Sequence, residues 1–351
     1  MRILVLDRDP ACEPFDVRES MPDLYAQLCE DGHELLAVAD ADIAAIPTLR
    51  PRRWPARLFA DRRYASAVRE AAGREPFDLA WVVATADTAT LRAAVSLAQS
   101  MPVVVFAGAA EPERSLHLRR PLGGKSQELF RLSGELVRTA AVTIAPSHSV
   151  AETLRSRPGC RNAADVRVIP ALAAKTCEPA EAHAAFRVLW AGDDGVDELM
   201  NRTQSCDAPS DTTAIAHLRT RIDAGAYSLI GSADLVVIAD DPETRGICDS
   251  TLLATAVESG VPVLCVTDDD SAAGELIDEF ALGYTARNRP DEIAITIAAA
   301  AADRLTDDER DELAERASDA FGPRAVLDAW SSLVTEIEAT ICSRGVRRRA
   351  A

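Results

Sequence analysis

Met1-Arg-Ile-Leu-Val-Leu6 and Glu34-Leu-Leu-Ala-Val38 are two apolar runs of strand length, and what lies between them decides the fold. The first run gives way to a polar stretch bearing Asp7, Pro10 and Pro14, which reads as the loop leaving a buried strand. Leu24 and Leu28, one helical turn apart and followed by Gly32, fit a helix with a glycine stop. Strand, helix and strand without a hairpin turn form one right-handed crossover, the unit of a parallel sheet.

The same alternation continues outward. Strands are expected at residues 79–84, 103–106, 142–145 and 166–169, with helices at 88–99, 126–139 and 150–155 between them. That predicts an open parallel α/β sheet of about six strands. Residues 170–184 are alanine-rich, carry Pro179 and lack an apolar period, so the interdomain linker is placed there. A second series follows, with strands ending at Ala191, at 235–238 and at 261–266. Helices are expected at 214–223, at 251–258 before Gly260, at 293–302 and at 306–320, the last opened by Thr306-Asp-Asp-Glu309 as a capping box. A final amphipathic helix is expected from Arg324 to about Cys342.

The chain of 351 residues is 48% hydrophobic, enough for two cores. No stretch approaches the ~18 uncharged apolar residues of a membrane span, and no signal peptide is read. The eight cysteines stand singly, without metal or redox spacing, and are expected to be reduced, mostly buried cytosolic thiols; no metal site is expected. Residues 1–180 carry 23 basic and 23 acidic residues, whereas 181–351 carry 15 and 33, so the whole net charge of −18 lies in the second half. Such a field argues against nucleic acid as a partner, because polyanion binding requires clustered Lys and Arg.

Several strings, in order, resemble the family 4 glycosyltransferases of the GT-B fold. They are the N-terminal run with Leu28 and Gly32-His33-Glu34, then Val142-Thr-Ile-Ala-Pro-Ser-His-Ser149, then Val166-Arg-Val-Ile-Pro170. Ala233-Asp-Leu-Val-Val-Ile238 and Glu258-Ser-Gly-Val-Pro-Val263 complete the set. The resemblance implies two Rossmann-like domains, over 1–178 on the acceptor side and 185–323 on the donor side. It also implies a crossover helix at 324–342, a basic tail at 343–351, and retaining transfer of a sugar from a nucleotide-sugar donor. The donor is then a substrate, with no cofactor and no metal.

Sugar transfer needs the leaving diphosphate stabilised by cations or helix N-terminal amides. Where the family supplies an Arg and a Lys, this chain has Gly192-Asp193-Asp194-Gly195, leaving Arg202 or Arg245 as substitutes. Of the family's two donor-side glutamates, Glu243 falls at the first position and Thr255 takes the second, where it would bond a ribose hydroxyl. Glu243 reads equally as an exposed loop acid. Arg245 is assigned to the diphosphate, and Gly260 to shaping the turn. The glycine pair after the first strand is absent, and Gly108 stands near the place of the family's first-domain histidine. His148 is expected at the acceptor cleft; His117 is its alternate, or an exposed residue among arginines. The stretch between Ala191 and Ala233 is mostly polar, so a reduced second sheet is expected.

Residues 50–74 hold eight arginines and two acids. Arg50, Arg52, Arg53, Arg57, Arg62 and Arg63 are interleaved with Trp54, Leu58, Phe59 and Tyr64. That mixture suits an anionic membrane surface or a lipid-linked acceptor, and hence a cytoplasmic protein peripheral to the inner face of a membrane. The alternative is that these arginines pair with the protein's own acidic half. At the level of function, the alternative to a transferase is a catalytically inactive glycosyltransferase-like protein that binds or scaffolds.

Overall fold

The computed structural model describes residues 1–7, 15–39, 42–43, 46–50, 60–74, 76–83, 88–107, 124–145, 148–157, 160, 165–170, 184–191, 196–206, 215–220, 229–239, 250–267 and 272–349. The chain divides into two compact units, one of Met1–Ile169 with Val326–Ala351, the other of Pro170–Ala325. Each is built on its own parallel sheet.

The first sheet contains β1 (Arg2–Leu6), β2 (Glu34–Val38), β3 (Thr48–Leu49), β4 (Leu79–Val83), β5 (Val103–Phe106), β6 (Val142–Ala145) and β7 (Val166–Val168) in the order β3-β2-β1-β4-β5-β6-β7. Its helices are α1 (Phe15–Glu30), α2 (Ala60–Arg74), α3 (Thr88–Leu97), α4 (Gly124–Thr139) and α5 (His148–Ser156). Both faces are buried, which is why β1 and β4 read as continuous apolar runs rather than as alternation. One face packs Leu4, Val82 and Val105 against Val68, Leu91 and Leu132.

The second sheet contains β8 (Phe186–Ala191), β9 (Ile215–Thr220), β10 (Leu235–Ala239), β11 (Val263–Val266) and β12 (Gly283–Ala286), ordered β12-β11-β10-β8-β9. With it go α6 (Val196–Gln204), α7 (Ser250–Glu258), α8 (Ala272–Phe280), α9 (Pro290–Ala302) and α10 (Asp307–Phe321). The expected capping box is present: Thr306 Oγ1 accepts from the Glu309 amide, and Glu309 accepts in return from the Thr306 amide. The last helix, α11 (Pro323–Arg349), returns the chain to the first unit.

The structure corrects the sequence reading in four places. Residues 214–223, expected as a helix, contain the edge strand β9, which pairs with β8 along its length from Phe186↔Ile215 to Ala191↔Thr220. Ala216, Leu218 and Arg219 favour helix locally, but the open edge of β8 offers backbone partners, and tertiary pairing overrides propensity. The first sheet has a seventh strand, the two-residue β3, too short for any periodicity. The elements α2, α6, α8 and β12 are regular where no element was expected. Finally, α11 runs to Arg349, so residues 343–349 are helical rather than a tail. Among the described residues no helix is long and apolar enough to cross a membrane.

Gly260 ends α7 at φ +68°, and a Cβ there would lie 2.8 Å from the carbonyl oxygen of Arg310. The glycine thus permits the close approach of α10 as well as the turn. Glu258, two residues earlier, is half-buried, and burial raises its carboxyl from 4.5 to about 7. The native state therefore binds more protons than the unfolded state between those values, and stability falls as pH rises through that window. Glu258→Gln is expected to raise Tm relative to the parent at about pH 8 and to leave it unchanged at about pH 4. Equal Tm differences at both pH values, read by calorimetry, would refute the assignment.

Candidate functional site

In an open parallel sheet, ligands bind beyond the carboxyl ends of the strands where the strand order reverses. In the second sheet that point lies between β8 and β10, neighbours in register from Val188↔Leu235 to Ala191↔Ile238. The chain leaves β8 toward α6 and the β9 edge, and leaves β10 toward α7 and β11. The connections leaving β8 and β10 run to opposite sides of the switch point, the topology that opens a ligand crevice in folds of this class. Gly192 follows β8 directly, and Glu243 and Arg245 fall between the end of β10 and Ser250. These three residues lie outside the described set, so only the strand ends that launch them are placed.

The described residues that open α6 at this edge are acidic. Asp197 and Glu198 occupy the first turn of α6, and Asp197 is ion-paired with Arg219 near the end of β9. Acids at a helix N-terminus stabilise the helix itself, but they occupy the end at which an anion would otherwise be favoured. Arg202, a substitute diphosphate ligand in the sequence reading, lies in the last turn of α6, away from that end. Val196, Leu199 and Thr203 are buried at helical spacing, the one signal from which α6 could have been read and was not.

Thr255 sits within α7 with no exposed surface, so its hydroxyl is enclosed by the fold rather than turned outward. Its carbonyl accepts the hydroxyl of Ser259. Gly260 shapes the end of α7, as described above.

In the first sheet the strand order reverses between β1 and β4. Asp7, directly after β1, is a buried carboxylate at 2% exposure, a residue the sequence reading treated only as loop. His148 is exposed at the first position of α5, just beyond the carboxyl end of β6. His117 and Gly108 lie outside the described residues, as do Arg52, Arg53, Trp54 and Arg57.

What is described of the arginine-rich segment is partly a core helix. Tyr64, Ala67, Val68 and Ala71 form the buried face of α2, and the Tyr64 hydroxyl donates to the carbonyl oxygen of Val38 at 3.0 Å. Tyr64 is therefore not an outward aromatic. Arg62 and Arg63 are on the same helix, the side chain of Arg62 lying outside the described set and Arg63 being half-buried. Arg50 pairs with Asp42 and Arg74 with Glu70, acids of the first unit rather than of the acidic second half. Among the described residues no group of three or more His, Cys, Asp or Glu side chains is arranged to hold a metal ion.

No protein-family model matches the chain. No curated protein matches it in sequence. Solved structures match it in fold. A glycosyltransferase from Rickettsia africae aligns with a TM-score of 0.64 at 12% identity, over 96% of this chain and 98% of that one. The lipopolysaccharide outer core galactosyltransferase WaaB aligns with a TM-score of 0.62 at 10% identity, over 96% and 99%. A Listeria monocytogenes protein named as a UDP-N-acetylglucosamine 2-epimerase aligns at 0.60 and 15%, over 96% and 97%. The chain thus has the two-Rossmann GT-B fold. That fold carries both transferases and an epimerase, so architecture alone does not select the reaction.

Proposed function

We propose that this chain is a retaining glycosyltransferase that binds a nucleotide-sugar at the carboxyl edge of the second sheet and passes the sugar to an acceptor held by the first unit. The observation that carries this reading is the parallel juxtaposition of β8 and β10, whose carboxyl ends lead into Gly192 and into the segment of Glu243 and Arg245. In this reading Glu243 contacts the sugar and Arg245 the diphosphate. Thr255, enclosed in α7, supports the wall behind the ribose rather than touching it. His148 lies on the acceptor side.

The experiment is a thermal-shift screen of the full chain with UDP, GDP, dTDP and their sugars. One nucleotide family is expected to raise Tm with saturable dependence, by about 2.7 kcal/mol of stabilisation at a hundredfold excess over Kd. Arg245→Ala is expected to weaken the affinity behind that shift by roughly ten- to a hundredfold, since a charge-assisted contact contributes ~1.5–3 kcal/mol. Absence of a shift with every nucleotide would retire the catalytic reading.

A second reading, an inactive binding protein of the same fold, is favoured by one specific feature. Asp197 and Glu198 face the anion-binding end of α6, with Asp193 and Asp194 just before them in the chain. Absence of any nucleotide shift favours this second reading, as does a shift without turnover of the matching nucleotide-sugar.

The acceptor class we propose is lipid-linked or presented at an anionic membrane surface, on the arginines of residues 52–63 interleaved with Trp54. Flotation with phosphatidylserine-containing liposomes is expected to carry the wild type, and to leave behind a variant with Arg52, Arg53 and Arg57 changed to Glu. Equal behaviour of the two proteins would remove the membrane from the proposal.

A further inference from the structure

At the amino edge of the first sheet, remote from its carboxyl edge, lies a cavity of about 510 Å³. Its walls come from four separate stretches of chain: the start of β1, residues 29–36, Pro47, and residues 71–77. Leu36, Ala71 and Phe77, packed in one core cluster, form an apolar floor, and the rim carries the guanidinium groups of Arg2 and Arg74. The size is that of small-molecule sites, and an apolar floor with a few polar groups at the rim is their usual composition.

Both rim cations already have carboxylate partners. Arg2 donates from Nε to Glu34 at 2.9 Å, and Arg74 pairs with Glu70 one helical turn away. The side chains of Glu34 and Arg74 are 74% and 62% exposed, however, and exposed pairs of this kind contribute only ~0–1 kcal/mol. A ligand anion with an apolar body can therefore displace Glu34 or Glu70 at little cost and add the burial of its own apolar surface on the floor. Arg2 is also held in place, its guanidinium carbon lying 5.7 Å from the centroid of the Phe77 ring. Stacking of this kind fixes the plane in which an anion would be met.

We infer that this cavity is a binding site for an amphipathic anion, a carboxylate or phosphate monoester on an aromatic or acyl body, separate from the nucleotide-sugar edge. Its occupant ties together the ends of α1 and α2 and the starts of β1 and β2. The same edge anchors the returning helix: Ser331 of α11 donates to Asp31 at 2.6 Å. The site is therefore placed to act on the attachment of α11 rather than on the reacting atoms.

Cys29 lines the cavity and is exposed; Cys342 is exposed on α11, outside the lining, and serves as an internal control. Burial pushes the Cys29 thiol up, so alkylation is run in mildly alkaline buffer. The full chain is treated with iodoacetamide in the presence of 2-naphthoate, 1-naphthyl phosphate or neutral 2-naphthamide, and each cysteine is followed by peptide mass spectrometry. At least one of the two anions is expected to slow Cys29 alkylation about fivefold when saturating, leaving Cys342 unchanged, with little effect from the amide. Comparison of the two anions identifies the head group. Arg74→Glu, an exposed substitution, is expected to abolish the protection. The inference is overturned if neither anion protects Cys29 at about 5 mM, if the amide protects equally, or if Arg74→Glu is protected like the parent. No nucleotide and no activity enters the readout, so its failure is distinct from failure of the transferase reading.

Discussion

Trp330→Ala is expected to destabilise the first unit by about 3–5 kcal/mol, the range for removing a large aromatic from a packed core. Trp330 is 2% exposed on α11, its ring centroid 5.0 Å from that of Trp81 and 5.8 Å from that of Phe106. Trp81 and Phe106 belong to the central strands β4 and β5, so the indole packs on the middle of one face of the sheet. Val326, Leu333, Val334 and Ile337 are buried beside it at helical spacing, so the void is bounded by packed side chains that cannot all collapse into it. For a unit of this size the loss corresponds to a fall in Tm of roughly 10 °C. Trp330→Phe, which keeps a ring against Trp81, is expected to recover more than half of it. Calorimetry of the three proteins is the check, and a fall below about 2 °C for Trp330→Ala would show that α11 is not integral to the unit.

The second large effect is expected at Asp234, just ahead of β10. Its side chain is 5% exposed and accepts from Arg304 Nη2 at 2.9 Å, from Arg310 Nη2 at 2.5 Å and, through Oδ2, from the amide of Arg187 at 2.8 Å. One carboxylate thus joins the starts of β8 and β10 to α10 and the turn before it. Asp234→Ala removes the shared acceptor and leaves two guanidinium groups and an amide together without it. Breaking one side of a buried ion pair costs about 3–5 kcal/mol, and the partial exposure of both arginines puts the expected value near 3. Asp234→Asn keeps an oxygen for the Arg187 amide and is expected to lose about 2 kcal/mol. Chemical denaturation measures both. If Asp234→Asn were as stable as the parent, the charge would contribute nothing and the site would be a plain hydrogen-bond acceptor.

Asp234 also shows where a sequence string and a ligand site part company. Ala233-Asp-Leu-Val-Val-Ile238 marks β10 correctly, but its acid sits at the amino edge, opposite the end where a ligand would bind. A strand pattern identifies direction and burial, not which polar neighbour meets which side chain. The acids of α6 are a similar case. Asp193 and Asp194 stood out as charges in a loop, whereas Asp197 and Glu198 acquire their meaning only because a helix begins at Val196.

The alternation of buried strands and amphipathic helices, the two-sheet architecture, the capping box at Thr306 and the turn at Gly260 were legible in the residues, because each depends on neighbours within a few positions. Helix spacing, cap chemistry and backbone handedness are local physics. Tertiary structure alone decided that residues 215–220 form an edge strand, that Tyr64 in a basic segment belongs to the core, and that Thr255 is enclosed. It alone drew Arg2, Cys29 and Phe77 around one cavity. Those outcomes depend on which distant segment supplies a hydrogen-bond partner or an apolar wall, and nothing within a short window of sequence carries that information.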